Sequence, residues 1–374
     1  MKNLPPPLIL RAKMIFTQLN VPIFAANPTP LISPIHPSFP INKVLLSYFH
    51  DGSVKDLSNE SAYQIFQAIL SNYPNFTEIY TDGSRVTEPE ISCGASVIVK
   101  MSHTTEMLNF RLPVEFSITS CELYAISQAL KYITLSASQQ RNYIILTDSL
   151  TSIFLIQNLS PKKFLHIVNF IQGQLITLIN RGYCILIQFI PSHKNLEGNE
   201  LADLAANAAH SNHPMVTKIF KDDQVRVIKQ AALSLWQSSW NHIIDTTGKG
   251  SHLRRIKTSV SFWPWSCHRS RVIETVFARL RIGHANFKAH EFRFGMIQSP
   301  RCMCGGEETI QHILLHCSIY SAKRNSLIQK LTQLKVPISL RNLLGGGDFE
   351  YKIQITIIEH VAEYLFKIGK LYRL

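Results

Sequence analysis

The sequence predicts an α/β fold, a mixed sheet flanked by helices, followed by a mostly helical C-terminal extension. Three observations carry this. FTEIYTD, SCGASVIVK and EMLNFRL are short strand-like runs separated by turn residues, the pattern of an antiparallel meander. Helical spacing takes over at 119–135, where Leu123, Ile126, Leu130 and Ile133 fall on one face. YIILT (143–147) is a continuous apolar run of strand length, as expected for a strand covered on both faces. Helical segments to about Gly182, the strand YCILIQFI and a helix from about Asn199 to Ala209 complete the order βββαβααβα, five strands in one mixed sheet.

At 374 residues, 45% hydrophobic and 17% charged, the chain can bury a real core and is long enough for two domains. Its 38 Lys+Arg against 25 Asp+Glu favour a polyanionic partner. The longest apolar stretch, Phe164 to Ile190, is broken by His166, Asn169, Gln172, Asn180 and Arg181, so no membrane span and no membrane partner is expected. The N-terminus MKNLPPPLILRAK places three prolines where a signal peptide needs a helical apolar core, and seven scattered cysteines do not form a disulfide framework. Nuclear or cytoplasmic residence, not secretion, is the expectation.

Residues 1–75, with Pro5 to Pro7, Pro22, Pro28, Pro30, Pro34, Pro37 and Pro40, read as a linker or the tail of a preceding domain. Residues 76–210 hold the α/β pattern, 211–300 a helical basic region, 301–320 a Cys/His module and 321–374 a helical tail. Eleven Lys/Arg against Glu274 and Glu291 place nine of the thirteen net positive charges in 249–301, interleaved with Phe262, Trp263, Trp265, Phe287, Phe292 and Phe294. Trp236 and Trp240, four apart, are expected on one core-facing helix face. FKDD (220–223) precedes a helical pattern and reads as a helix start.

Four carboxylates in separate segments carry the chemistry: Asp82 in IYTDGS, Glu122 in SCELYAI, Asp148 in IILTDSL and Asp203 in GNELADLAANAA. Asp82 and Asp148 stand at strand ends, where ligand sites of open α/β sheets lie. Acids packed side by side repel one another without a cation, and oxygen-only clusters suit Mg²⁺ or Mn²⁺. Glu200 shares a helical face with Asp203 but is read as a helix-start acid facing the dipole, and Asn199 as a cap.

With their order, spacing and supporting elements, these motifs resemble the type-1 ribonuclease H domain over roughly residues 76–210, with His193 in PSHKN matching the family's loop histidine. The resemblance implies a ribonuclease H-like five-stranded sheet and hydrolysis of the RNA strand of RNA/DNA hybrids by two Mg²⁺ or Mn²⁺ ions. It implies that Asp82 bridges both, that Glu122, Asp148 and Asp203 complete the shells, and that His193 assists proton transfer or product departure. Lys194-Asn195 follow the histidine where retroelement relatives commonly carry a small residue or glycine, which bears on loop mobility. No separate basic handle stands in 160–182 beyond Lys162 and Lys163, so grip on the hybrid is expected from 249–301.

RCMCGGEETIQHILLHC supplies Cys302, Cys304, His312 and Cys317, donors that suit one tetrahedral structural Zn²⁺. Gly305 and Gly306 free the turn to aim both first sulfurs inward. His316, four residues after His312, is an alternative to Cys317. The PSH…GNELAD phrase, the Trp-containing helix and this cluster together look most like the C-terminal part of a jockey-like non-LTR retrotransposon polyprotein, which implies an upstream reverse transcriptase as partner. A nuclease fold retained without turnover, binding nucleic acid, is the competing expectation.

Overall fold

The computed structural model describes residues 8–18, 43–45, 57–101, 103–136, 139–211, 219–260 and 270–373. The prolines from Pro5 to Pro40, together with Phe262, Trp263, Trp265 and Arg269 of the basic stretch, lie outside them. The chain divides into two compact units after Ala231. Among the described residues no helix is long and apolar enough to cross a membrane, and the six cysteines are free thiols.

In the first unit α1 (Leu8–Gln18), β1 (Val44–Leu45) and α2 (Asn59–Ser71) precede the predicted meander of β2 (Thr77–Val86), β3 (Ser92–Lys100) and β4 (Thr105–Leu112). There follow α3 (Ile118–Leu135), β5 (Asn142–Thr147), α4 (Leu150–Gln157), α5 (Leu165–Asn180), β6 (Cys184–Phe189) and α6 (Glu197–Ala208). Strand order is β1-β6-β5-β2-β3-β4, with β2, β5, β6 and β1 parallel and β3 and β4 antiparallel. The five predicted strands form this mixed sheet of ribonuclease H-like order, and the two residues of β1 add a short edge that no periodicity could announce.

Alternation along β5 explains why its whole run is apolar. Tyr143 and Ile145 enter the core that α3 and α5 cover, while Ile144 and Leu146 enter a second core with Phe66 of α2 and Ala202 and Ala205 of α6. The face of α3 anticipated from spacing, Leu123, Ile126, Leu130 and Ile133, is fully buried. The reading of residues 1–75 as linker fails at 59–71. Ala62, Phe66 and Ile69 of α2 are buried against the sheet, a helix capped by Ser58 whose spacing lies hidden beside the proline cluster.

Helix α7 (Lys221–Thr247) does begin at FKDD, and its first-turn acids tie down neighbours. The Asp222 carboxylate accepts from the Phe164 backbone N–H at 2.9 Å, and Asp223 accepts from the Ser117 N–H at 3.0 Å and the Ser120 hydroxyl at 2.6 Å. Trp236 departs from expectation. It is 61% exposed, so the four-residue spacing with Trp240 does not mark a core face.

The second unit holds α8 (Ser251–Ile256), α9 (Arg271–Ile282), α10 (Lys288–Arg293), a π-helical turn (His312–His316), α11 (Ser321–Gln333), α12 (Leu340–Leu343) and α13 (Tyr351–Lys367). Phe277, Phe287, Ile313, Leu331, Ile357 and Val361 share one core with Cys302 and Cys317. From Ile256 on, the stretches read as 211–300, 301–320 and 321–374 therefore do not stand apart, whereas Ile219 and Phe220, at the start of the first of them, are buried in the core of the first unit.

Candidate active site

Register builds the acid centre. The parallel pairing of β2 with β5 ends at Thr81 opposite Thr147, so Asp148, just past the end of β5, stands beside Asp82, which lies not at the end of β2 as expected but within it, where β2 runs on paired only with β3. Gly83 then admits α3. A Cβ at Gly83 would lie 2.5 Å from the Glu122 nitrogen, and this close approach sets Glu122 beside Asp82. Gly94 does the same for α6, where an added Cβ would meet the Ala206 carbonyl oxygen at 2.2 Å, and the Ser96 hydroxyl donates to the Ala202 carbonyl at 2.6 Å. Helix α6 is thus pinned across β3 with Asp203 on its inward side. None of the acids is a mere cap, for Asp82 lies inside β2 and Ser149, not Asp148, caps α4.

Ligand atoms of Asp82, Glu122 and Asp148 lie within 4.8 Å of one another, as do those of His193, Glu200 and Asp203. All six line one cavity of about 230 Å³, with Gly83, Ser192 and Asn199. The structure thus brings the four predicted acids and the loop histidine to one place. Crowding shows in the proton equilibria. Burial, then the Asp148 and Asp203 charges, push the Asp82 carboxyl up to about 8. Burial, then Asp82 and Asp148, push Glu122 well above the carboxylate range, although the Gly83 N–H opposes it. Asp148 is also raised by burial, against the hydrogen bond from Asn199 and the His193 charge. Glu122 Oε2 is buried without a hydrogen-bond partner. A divalent cation satisfies all of this at once, supplying positive charge and an acceptor's missing partner, so the donor set fits Mg²⁺ or Mn²⁺.

Asn199 changes role and is not a cap: α6 starts after Leu196, Asn199 is buried, its Nδ2 donates to Asp148 Oδ2 at 3.1 Å, and its Oδ1 has no partner. Glu200 does stand in the first turn of α6, as read, and its carboxylate in addition reaches into the cavity beside Asp203 and His193. The acid that faces outward from that first turn is Glu197, paired with Lys100 at 2.7 Å. The spacing to Asp203, four residues from Asn199 and three from Glu200, was the available signal. His193 and Asn195 both take left-handed backbone (φ 52° and 56°), and the Lys194 ammonium donates to the Leu57 carbonyl at 2.6 Å, which anchors the loop where a glycine would leave it loose.

Asp203 is held from behind. Asn207 Nδ2 donates to Asp203 Oδ1 at 2.9 Å, and Ser84 Oγ donates to Asn207 Oδ1 at 2.5 Å. With its one proton so used, Ser84 accepts from His210 Nε2 at 3.0 Å, leaving His210 Nδ1 to accept from Ser92 Oγ at 2.8 Å. Burial and then Arg111 lower the His210 value, consistent with this neutral tautomer.

In the second unit Cys302, Cys304, His312 and Cys317 bring their ligand atoms within 4.8 Å of one another. Zn–S bonds of about 2.3 Å at tetrahedral angles place sulfurs about 3.8 Å apart. Cys302 and Cys317 are 3.7 Å apart and Cys304 and Cys317 3.8 Å, far beyond a disulfide, and Cys304 Sγ lies 3.1 Å from His312 Nε2. The alternative ligand His316 is exposed. The reason is the π turn: the Cys317 N–H bonds back five residues to the His312 carbonyl at 2.7 Å, and this wider turn carries Cys317 rather than His316 to the side of His312. A Cβ at Gly306 would stand 2.8 Å from His312 Cε1, so the second glycine makes room for the imidazole. The Gly306 N–H lowers the Cys304 thiol, while burial pushes Cys317 up to about 11, a burden that a bound cation relieves.

Residues 74–211 match the family model of RNase H. Together with the sheet order and the acid set, this makes them an RNase H domain, two residues longer at its start and one at its end than the motifs marked. Similar solved structures include a foamy viral protease-reverse transcriptase in complex with RNA/DNA hybrid (20% identity, 36% of this chain and 20% of that one, TM-score 0.30). The native prototype foamy virus protein is another (17%, 38% and 22%, TM-score 0.31). A third is the N-terminal RNase H domain of a Mycobacterium tuberculosis protein fused to maltose-binding protein (18%, 36% and 98%, TM-score 0.29). The chain spans about a fifth of the length of the two foamy viral chains. No curated protein matches the sequence.

Proposed function

We propose that this chain is a metal-dependent endonuclease that hydrolyses the RNA strand of RNA/DNA hybrids, and that it derives from a retrotransposon polyprotein of the jockey-like kind with a reverse transcriptase upstream. The observation that carries the activity is the convergence of Asp82, Glu122 and Asp148 within 4.8 Å, with Asp203 in the same cavity. Asp82, Glu122, Asp148 and Asp203 would hold two divalent cations. When bound, these supply activation of water and stabilisation of the departing oxygen. The chain's own residues do the rest. Asn199 holds one oxygen of Asp148 and Asn207 one oxygen of Asp203, which orients each carboxylate and leaves its other oxygen for a cation. Glu122, buried from water by α3 and β2, is kept in place to be ionised by whatever positive charge enters. His193, exposed on the anchored loop beside Glu200 and Asp203, stands where it can take up or release a proton at the solvent edge.

Cleavage of an end-labelled RNA/DNA hybrid in Mg²⁺ by the purified full chain tests the proposal, with single-stranded RNA and duplex DNA beside it. The hybrid alone should be cut, and Asp82→Asn and Asp148→Asn should each reduce cutting to background. Undiminished activity in both variants refutes the assignment. For the second unit we propose a structural Zn²⁺ on Cys302, Cys304, His312 and Cys317, supported by the sulfur spacing and the π turn. The retrotransposon origin is supported by this cluster following the RNase H domain in the same chain.

A further inference from the structure

The ten cations of 249–301 among the described residues take different parts in the structure. Several serve the fold. Arg281 is buried and donates to the Leu344 carbonyl at 2.8 Å, Arg254 pairs with Asp245 at 2.8 Å, and Lys288 and Arg301 donate to the Arg301 and Gly305 carbonyls. Three others, Lys249, Arg255 and Arg293, stand exposed around one open cleft of about 920 Å³ in the second unit. That volume lies toward the top of the range for ligand sites, about 300–1,000 Å³. The acids on its wall do not cancel them. Glu308 is buried and neutralised by Lys370 at 2.7 Å, leaving Glu307 as the exposed carboxylate. Burial, then Arg255 beside His252 and Arg293 beside His290, lowers the pKa of these two histidines.

The cleft also offers flat faces. The rings of His284 and His290, both on its wall, lie 5.2 Å apart, and Phe292 lines the cleft with 46% of its surface exposed. Cations that follow a backbone, beside rings on which bases can stack, are the two elements of single-strand binding. A planar anionic membrane has no use for recessed rings, and a duplex keeps its bases stacked on one another.

We infer that this cleft binds single-stranded nucleic acid, with Lys249, Arg255 and Arg293 on the phosphates and Phe292 under a base. It rests on nucleic acid as partner, as the proposed function does, but not on the acid centre. The cleft gives the chain a means of holding an unpaired strand that is independent of cleavage.

Fluorescence anisotropy of the full chain with a short labelled DNA strand, in EDTA across a salt series, tests this. Each phosphate contact on a single strand contributes about 0.7 to the slope of log K against log salt. The combined Lys249→Ala, Arg255→Ala and Arg293→Ala variant should therefore lose about 2 from the slope, and Phe292→Ala should weaken binding roughly tenfold with the slope unchanged. Lys352→Ala, outside the cleft, should alter neither. Circular dichroism melts establish that each variant is folded, and Lys249→Arg should retain the slope if an alanine variant is not. A slope unmoved in the folded triple variant overturns the inference. So does pyrophosphate competing as well as the strand, which would make this a small-anion site, or anionic vesicles binding with the same dependence on the three cations. Hybrid cleavage read in parallel separates the two proposals, since its absence with strand binding intact sinks only the nuclease.

Discussion

The two ligand sets of this chain are assembled in opposite ways. The acid centre gathers hard oxygen donors from β2, α3, the end of β5 and α6, and exists only when the whole sheet is built. The Cys/His cluster gathers soft donors from one stretch between Cys302 and Cys317, and two of its sulfurs lie inside the hydrophobic core of the second unit. The difference teaches where the free energy of each proposed cation would go. In the second unit it would go into folding, because without it buried thiols must be satisfied some other way. In the first it would offset repulsion in a fold already paid for by apolar burial on both sheet faces.

The largest expected effect breaks the comparison directly. Stripping zinc with a chelator, or Cys304→Ser, should open the second unit, since structural Zn²⁺ contributes on the order of 10 kcal/mol. Hydrogen exchange should rise across 302–365 while the amides of β2, β5 and β6 stay protected. Equal loss in both units, or in neither, would erase the distinction.

A smaller effect sharpens the acid side. The Asp82 carboxyl is held near 8 in the fold against about 3.9 unfolded, so the folded chain binds the proton more tightly between those values. Without metal, this group's contribution to stability should therefore be fullest below about pH 4 and fall as pH rises to about 8, on the order of 1 kcal/mol per pH unit. Urea titrations in EDTA read this slope. Mg²⁺ should flatten it, and Asp82→Asn should remove most of it, an outcome opposite to that variant's effect on cleavage. The smallest effect concerns orientation: Asn199→Ala should weaken Mn²⁺ binding about 10- to 100-fold with little change in melting temperature, as measured by calorimetry.

Much of this was legible beforehand where physics is local and periodic. Strand runs such as YIILT, the apolar face of α3 and the motifs around the four acids all announce themselves within a few residues. What escaped was set by distant neighbours. Helix α2 is short and follows a proline-rich segment, so its three buried residues gain meaning only against the sheet. Asn199 looked like a cap because Asn usually is one, yet α6 begins two residues earlier and turns it toward Asp148. Trp236 looked like core because a 3.6-residue period cannot say whether anything packs on that face.

The order of residues by itself determined the layered α/β plan, the identity of the acids and the donor types of the Cys/His cluster, because side-chain chemistry and hydrophobic period are carried by each short segment. Only the tertiary structure decided which donors meet. The end of β2–β5 pairing at Thr81 and Thr147, the close approach that Gly83 permits and the extra residue in the π turn before Cys317 are each set by packing between separated parts of the chain. A shift of one residue in any of them would turn a ligand away from its partners.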